Sequence, residues 1–458
     1  MNAQSLLDLQ KETFLSGKTH SYEHREAMLL RLKEMLEENE QMIYQALYTD
    51  LNKSKHETLT TELGILYTEI DFALKNLSKW MKDENVPAPM THQGTKNYII
   101  HEPLGNILII SPWNYPLQLA LAPAIGALAA GNTVVLKPSE IAPATEELLN
   151  ILIKNYFDEA YFGIITGDKD VSDQLVGMRF DYIFFTGSTQ VGKKIMKRAS
   201  ENLTPLTLEL GGKSPVIIMA DANIQLAAKR IAWGKFTNAG QTCVAPDYLY
   251  IEESIKNKFL KELVRQIKRL YKNNPLNNEN YVKIINSNHF NRLMNFINHS
   301  NELQLIYGGS SDETTLKIEP TILQNVSWND DIMQEEIFGP ILPILTFTDV
   351  NEAISAINEQ EKPLALYFFG KDETVESKVL KLIRFGGGAI NDTLYHLANP
   401  HLPFGGIGHS GLGAYHGKYS YETFTHKKSI MKQTTKFDLP FRYPNSKLGK
   451  RIVKYVLK

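Results

Sequence analysis

Thiols are almost absent: one cysteine, Cys243, stands in 458 residues. A single thiol excludes an internal disulfide and the paired-thiol spacing of a zinc site, so nothing calls for an oxidising compartment and no metal is expected. An excess of charge of one sign is also missing, with 49 Lys and Arg against 51 Asp and Glu and a formal net charge of −2. That excludes the basic face that nucleic acid requires and favours a small partner. The longest apolar run, Leu119 to Ala130, is shorter than the roughly 20 residues that cross a bilayer, and it contains Pro123 and Gly126. The opening "MNAQSLLDLQKETF" lacks the basic and apolar regions of a signal peptide. These absences predict a cytoplasmic protein with no transmembrane span.

What is present is ample apolar content, 43% of the chain, enough for a large core divided between two or three domains. The first 80 residues read as helices: Met28, Leu32, Met35 and Leu36, then Leu63, Leu66, Tyr67, Ile70, Leu74, Leu77 and Met81, recur at three-and-four spacing. "VPAPM" (86–90) breaks that pattern, because proline fixes φ and supplies no donor. From about residue 106, short β-rich runs alternate with helical stretches: "NILIIS", 117–130, "NTVVLKP", 143–155, "FGIITG", "FDYIFFTG" and a helix from 189. Such alternation predicts an α/β domain of dinucleotide-binding size on a parallel sheet. After "LELGGKSPVIIM" (208–219) it resumes through "DYLYI" and "KPLALYFFG" to "GGGAIND", which predicts a second α/β domain.

Six stretches carry chemistry-bearing residues. Cys243 lies in "GQTCVA" among small and polar neighbours, where a thiol is either an accessible nucleophile or an incidental small residue near a helix end. Glu209 ends the strand-like "LTLE" before Gly211 and Gly212, at the strand end where open α/β sheets bind ligands; it reads as a general base or as a solvated surface carboxylate. In "FFTGSTQVGKKI", the turn through Gly187, Ser188, Thr189 and Gly192 offers backbone N–H groups and a helix N-terminus to a pyrophosphate, or is simply a tight β–α turn. "VVLKPSE" sets Lys137 and Glu140 at another strand end, suited to ribose hydroxyls. "SPWNYP" offers the Asn114 amide, and "QEEIFGP" sets Glu336 two residues before Phe338 and a Gly-Pro turn.

This set, in this order, resembles the aldehyde dehydrogenase superfamily: "LELGGKSP", "GQTC", "EEIFGP" and "LPFGGIGHSGLG" (402–413) match its signatures along essentially the whole chain. The short N-terminus, "WNYP" and "WGKFTNAGQTCVAPDY" are most similar to the class 3 branch, which includes fatty-aldehyde dehydrogenases. The resemblance implies an aldehyde dehydrogenase-like fold. It consists of a Rossmann-type NAD(P)-binding domain (1–85 and 106–208), an α/β catalytic domain (209–410) and a small β bridging and oligomerisation element (86–105 and 411–458). It implies NAD(P)-dependent oxidation of an apolar aldehyde, whether fatty, aromatic or polyisoprenoid, through a thiohemiacetal and a thioester. Cys243 is then the nucleophile, Asn114 with the Cys243 N–H the oxyanion donors, and Glu209 the base. Lys137 and Glu140 take the adenine ribose, Gly187, Ser188, Thr189 and Gly192 the pyrophosphate turn, and Glu336 and Phe338 the nicotinamide end. Glu140 favours NAD over NADP, since a carboxylate repels a 2′-phosphate.

Tyr67, Trp113, Tyr115, Trp233 and the residues from His396 to Leu402 are candidates for a tunnel wall or for core. A homodimer is expected in this branch. The tail "NSKLGKRIVKYVLK" (445–458), read as a helix, separates Leu448, Ile452, Tyr455 and Val456 from Lys447, Arg451, Lys454 and Lys458, which suits packing on a partner subunit or weak contact with an anionic membrane surface. Two rival functions are a CoA-acylating relative, which generally lacks the base glutamate, and a non-catalytic protein that kept the fold.

Overall fold

A computed structural model describes residues 2–298, 303–439, 442–444, 446, 447, 449 and 451. The amphipathic N-terminal stretch forms the helices Ala3–Leu15, Tyr22–Glu38, Glu40–Leu51 and Gly64–Trp80, with Leu32, Leu36, Ile70 and Leu77 fully buried on their inner faces. Between the last two, Leu59–Leu63 is a single π-helical turn that turns Glu62 inward.

These helices cover a six-stranded sheet in the order Gly411–Leu412, Leu206–Glu209, Tyr182–Thr186, Asn106–Ile110, Thr133–Lys137, Phe162–Ile164. All neighbours are parallel except the short Gly411–Leu412 strand. "NILII" and "TVVLK" are buried along their whole length, as expected of parallel strands covered on both faces. The helix Gln118–Ala130 is buried at every position and ends where Gly131 adopts a φ of 90°, with the Arg25 guanidinium packed where a Cβ would stand.

A second sheet has seven strands: Gln304–Tyr307, Thr321–Gln324, Ile341–Phe347, Tyr248–Glu252, Pro215–Ile218, Ala365–Phe369 and Gly387–Ile390. The first is antiparallel and the rest parallel. A third sheet pairs Thr95–Pro103 antiparallel with Glu84–Val86 on one side and Thr425–Gln433 on the other. One apolar cluster runs from Leu32 and Ile70 through Ile107 and Phe184 to Val216 and Tyr367, so the two large sheets share a core.

The stretch 411–424, grouped with the bridging element on sequence, does not sit there. Gly411 extends the six-stranded sheet by pairing with Glu209, and the Lys418–Thr423 helix packs on Gln118–Ala130, with Ser420 against Gly126. Glycines allow this: at Gly411, φ is 153° and a Cβ would lie 2.4 Å from the Leu208 carbonyl oxygen. Most of the tail 445–458 lies outside the described residues. Among the described residues no helix is long and apolar enough to cross a membrane.

Candidate active site

The only cysteine follows an unusual turn. After the helix Ile224–Phe236, Asn238 and Ala239 both lie in the left-handed region, at φ 53° and 51°, a conformation that costs non-glycine residues about 1–3 kcal/mol each and persists only where the surroundings hold it. Here they do. The Asn238 N–H donates to Glu57 Oε1 (2.8 Å), and its side-chain amide donates to the carbonyls of Asn114 (2.8 Å) and Gln241 (3.0 Å). The Gln241 side chain donates to the Asn238 and Lys283 carbonyls and accepts the Ile285 N–H. Cys243 itself is bracketed by Tyr115, whose hydroxyl meets Thr242 Oγ1 at 2.6 Å, and by Tyr367, whose hydroxyl donates to the Val244 carbonyl at 2.7 Å.

Asn114 joins this loop from the opposite sheet. It is buried, and its Nδ2 donates to the Gln241 carbonyl at 3.0 Å, two residues from the cysteine. The sequence turns at Pro112 and Pro116, directly after the buried strand Asn106–Ile110, so the amide is delivered by the rigid end of that strand.

Electrostatics at the centre is dominated by burial. Burial pushes the Cys243 thiol up, the carboxylates of Glu336 and Glu209 add to this, and the N–H groups of Cys243 and Val244 oppose it by donating to the sulfur. Glu209 is 2% exposed, no hydrogen bond reaches either carboxylate oxygen, and burial raises its pKa well above the ordinary carboxylate range. Glu336 is pushed up to about 8 by burial and by Asp247, against the Gly212 N–H, Lys213 and Arg292. Its carboxylate lies over Gly211, where a Cβ would be 2.2 Å from Oε2. Lys235, wholly buried nearby, is pulled down to about 8 by burial, which Asp247 opposes.

On one side of Cys243 opens a cavity of about 560 Å³. Tyr115, Leu119, Trp233, Phe404 and Tyr415 supply apolar wall, and Glu57, Gln118 and His416 supply polar points. Of the aromatic candidates read from sequence, Tyr115 and Trp233 line it, as do Leu397 and Ala398. Tyr67 does not: it packs against the core and donates its hydroxyl to Glu40. Trp113 is not part of the cavity wall: its ring lies tilted against His289 and edge-on to Phe338. His396 sits beside the cavity near Tyr367 and Phe404, its pKa drawn down to about 4 mainly by burial, and Leu402 is exposed.

The carboxyl ends of the six-stranded sheet bring the remaining candidates together. Strand order reverses between Asn106–Ile110 and Tyr182–Thr186, the crevice where doubly wound sheets bind nucleotides. Ser111 Oγ and Thr186 Oγ1 stand at those two strand ends, buried and without hydrogen-bond partners. Lys137 ends the next strand, and its ammonium is held by Glu140 at 2.7 Å and the Pro138 carbonyl at 2.8 Å. The helix Thr189–Ala199 starts from Ser188, whose Oγ accepts the Val191 N–H.

The Gly187 N–H is not free for a pyrophosphate, because it donates to the Glu209 carbonyl at 3.0 Å; the outward donors of this turn are the N–H groups of Thr189 and Gln190. Gly192 serves packing, since a Cβ there would strike Leu210 at 2.7 Å. Phe338 adopts a φ of 49° and sets its ring edge-on to Trp113 at 5.3 Å. A crevice with unpartnered hydroxyls, a helix start and a Lys–Glu pair at successive strand ends fits a dinucleotide. Among the described residues no cluster of three or more His, Cys, Asp or Glu is arranged to hold a metal.

Sequence reasoning missed Ser111 and Thr186, although both directly follow or end a buried strand beside a quoted motif. It also missed Lys53, Glu57, Glu62, Asn238 and Gln241. The first three lie far away in the chain and carry no local signal. Asn238 and Gln241 stand in "NAGQTC", but their bonding depends on a left-handed turn at Asn238 and Ala239, a conformation that alanine disfavours.

The chain matches the aldehyde dehydrogenase family over residues 2–430. It is 48% identical over 434 residues to the 4,4'-diaponeurosporen-aldehyde dehydrogenase of Staphylococcus aureus, covering 95% of this chain and 94% of that one. It is 43% identical over 430 residues to the mouse protein named aldehyde dehydrogenase, dimeric NADP-preferring, covering 94% of each. The solved substrate-bound state of a Staphylococcus aureus AldH superposes with a TM-score of 0.98 at 46% identity and full coverage of both chains. The chain therefore belongs to the aldehyde dehydrogenase family and is an NAD(P)-dependent aldehyde dehydrogenase.

Proposed function

We propose that this enzyme oxidises apolar aldehydes to carboxylic acids through a thiohemiacetal and then a thioester on Cys243, with water as the acyl acceptor. The observation that carries the reading is a lone cysteine at the end of an apolar cavity, with an unsolvated carboxyl, Glu209, close enough to raise its pKa. Cys243 gives up its thiol proton to water and attacks the aldehyde carbon as the thiolate. One N–H of the Asn114 amide is held by Gln241, which leaves its second N–H, with the Cys243 N–H, for the oxyanion that develops. When bound, the dinucleotide supplies the acceptor for the hydride that leaves this carbon. Cys243 then holds the acyl group as a thioester. Glu209 takes a proton from water as it adds to that thioester, and the acid departs from the regenerated thiolate.

The dinucleotide would be held by Lys137 and Glu140 at the adenine ribose, by Ser188, Thr189 and the helix entered through Gly187 at the pyrophosphate, and by Glu336 and Phe338 at the nicotinamide end. Gly192 keeps that helix close to Leu210. NAD is preferred through the charge of Glu140. The Lys137–Glu140 pair tempers that charge, in keeping with a relative named NADP-preferring, so NADP is also used. The six-stranded sheet with its helices serves as the cofactor domain, the seven-stranded sheet as the catalytic domain and the three-stranded sheet as the bridge. A homodimer is supported by the relative named dimeric. A nucleophilic thiol needs a reducing compartment, which supports the cytoplasm.

An aldehyde with a long apolar chain is supported by the cavity wall and by the relative that carries a diaponeurosporen-aldehyde, a polyisoprenoid, in its name. Hydrolysis rather than transfer to CoA is supported by the dry base Glu209. The test is NADH formation by purified protein with a medium-chain aldehyde, with and without CoA. Turnover to free acid that is indifferent to CoA is expected, and a strict requirement for CoA would overturn the reading.

A further inference from the structure

A buried ion pair outside the catalytic set touches it at one point. Lys53 and Glu62 have no exposed side-chain surface, and Lys53 Nζ lies 2.5 Å from Glu62 Oε1. The ammonium also donates to the Asn114 carbonyl oxygen at 3.1 Å and stands 4.0 Å from the centre of the Tyr115 ring. Glu62 Oε2 accepts the N–H groups of Leu117 (2.9 Å) and Gln118 (3.0 Å), where the loop after Asn114 enters its helix. Glu62 is turned inward by the π-helical turn Leu59–Leu63, a form seen mostly as single turns and often at functional sites. A buried pair is weak evidence for stability, since apolar residues of like volume serve as well. This pair instead grips the segment 114–118 by both ends.

We infer that Lys53, oriented by Glu62, is a positioning residue that fixes the Asn114 side-chain amide for the oxyanion. The amide and the carbonyl of Asn114 are both tied into one ring of bonds. Lys53 and Asn238 donate to the carbonyl, Asn238 also donates to Gln241, and the Gln241 carbonyl accepts the Asn114 amide. Removing the ammonium leaves the carbonyl with one donor and frees the loop to turn its amide away from the cysteine. A loss of this kind acts on the transition state, where the oxyanion exists, and spares the bound aldehyde. The inference rests on Asn114 being an oxyanion donor.

The test is a double-mutant cycle in the full-length enzyme with NAD. The neutral pair K53M/E62Q keeps an acceptor for the Leu117 and Gln118 N–H groups and removes both charges of the pair together, leaving Glu57, which Lys53 also faces, with the Asn238 N–H. It is expected to melt cooperatively, bind NAD as the parent does and hold KM within about threefold, while kcat falls on the order of tenfold to a hundredfold. Asn114→Ala alone is expected to lose about 100-fold or more, and adding K53M/E62Q to it to cost less than about threefold further. If Asn114→Ala keeps its rate, the oxyanion reading fails, and the positioning role with it. If Asn114→Ala loses its rate while K53M/E62Q keeps kcat, or if the two losses multiply, the oxyanion reading stands and the positioning role is overturned. Lys53→Gln, which keeps a donor toward the Asn114 carbonyl, is the second variant and should retain more kcat than K53M/E62Q. Unfolding of both variants would assign the pair to stability and overturn the inference.

Discussion

Thr186 and Glu209 are register partners at the carboxyl ends of adjacent parallel strands, and no hydrogen bond reaches the Thr186 hydroxyl or either oxygen of the Glu209 carboxylate. A polar pair left this way in a buried site would normally cost about 1–3 kcal/mol per group, so it is expected where water or a ligand completes the bonding.

The rate should accordingly depend on pH through Glu209. Burial raises its pKa well above the ordinary carboxylate range, so its ionisation is completed at a higher pH than that of an ordinary carboxylate. We predict that steady-state turnover still climbs with pH above the range in which an ordinary carboxylate is fully ionised, and that Glu209→Gln is slower by on the order of 100-fold and lacks that climb. A profile in Glu209→Gln that keeps the parent's shape and rate counts against Glu209 as the base.

Glu336 predicts a stability effect of definite sign. Its folded pKa is raised from 4.5 to about 8, so the folded state holds that proton more tightly than the unfolded chain does. Its contribution is fully present below about pH 4.5 and is lost as pH rises through 8. Glu336→Gln has no proton to lose, so its Tm relative to the parent should improve from about pH 5 and level off above about pH 8. A constant difference in Tm across that range would show that Glu336 ionises normally in the folded protein.

Cofactor choice should respond to Glu140. Its carboxylate is the partner of the Lys137 ammonium, and removing the charge relieves repulsion of a ribose 2′-phosphate. For Glu140→Gln we predict that kcat/KM for NADP rises relative to NAD by on the order of tenfold. An unchanged ratio would show that the adenine ribose lies elsewhere.

The cavity wall predicts a chain-length series. Burying each methylene is worth about 0.8 kcal/mol, so kcat/KM for straight-chain aldehydes should rise roughly fourfold per carbon until the cavity is filled. Replacing Trp233, which lines the wall, with Ala should flatten the series for long chains. A series that falls with length would contradict an apolar substrate.

Much of this was legible in the sequence because the signals were local. Fully buried runs such as "NILII" and "TVVLK" declared parallel strands, and each ended at a residue of the candidate site, Ser111 after one and Lys137 in the other. The illegible parts depend on distant pairing or on glycine geometry. Gly411 joins the six-stranded sheet only because it allows the backbone to approach Leu208, and Gly187 spends its N–H on a neighbouring strand. Trp113 and Tyr115 are two residues apart, yet one meets the Phe338 ring edge-on and the other lines the cavity, a division set by the turn through Pro112 and Pro116. Lys53 and Glu62 were invisible because a charged pair in a helical region ordinarily reads as surface.

The central claim is that Cys243 carries the acyl group and Glu209 releases it. Mass spectrometry of Glu209→Gln, quenched after mixing with NAD and an aldehyde, tests it most directly. The account predicts one equivalent of NADH in a burst and an acyl adduct on the peptide that contains Cys243, absent from Cys243→Ala, which still binds NAD. Sustained NADH formation by Cys243→Ala, or a burst in Glu209→Gln with Cys243 unmodified, would contradict it.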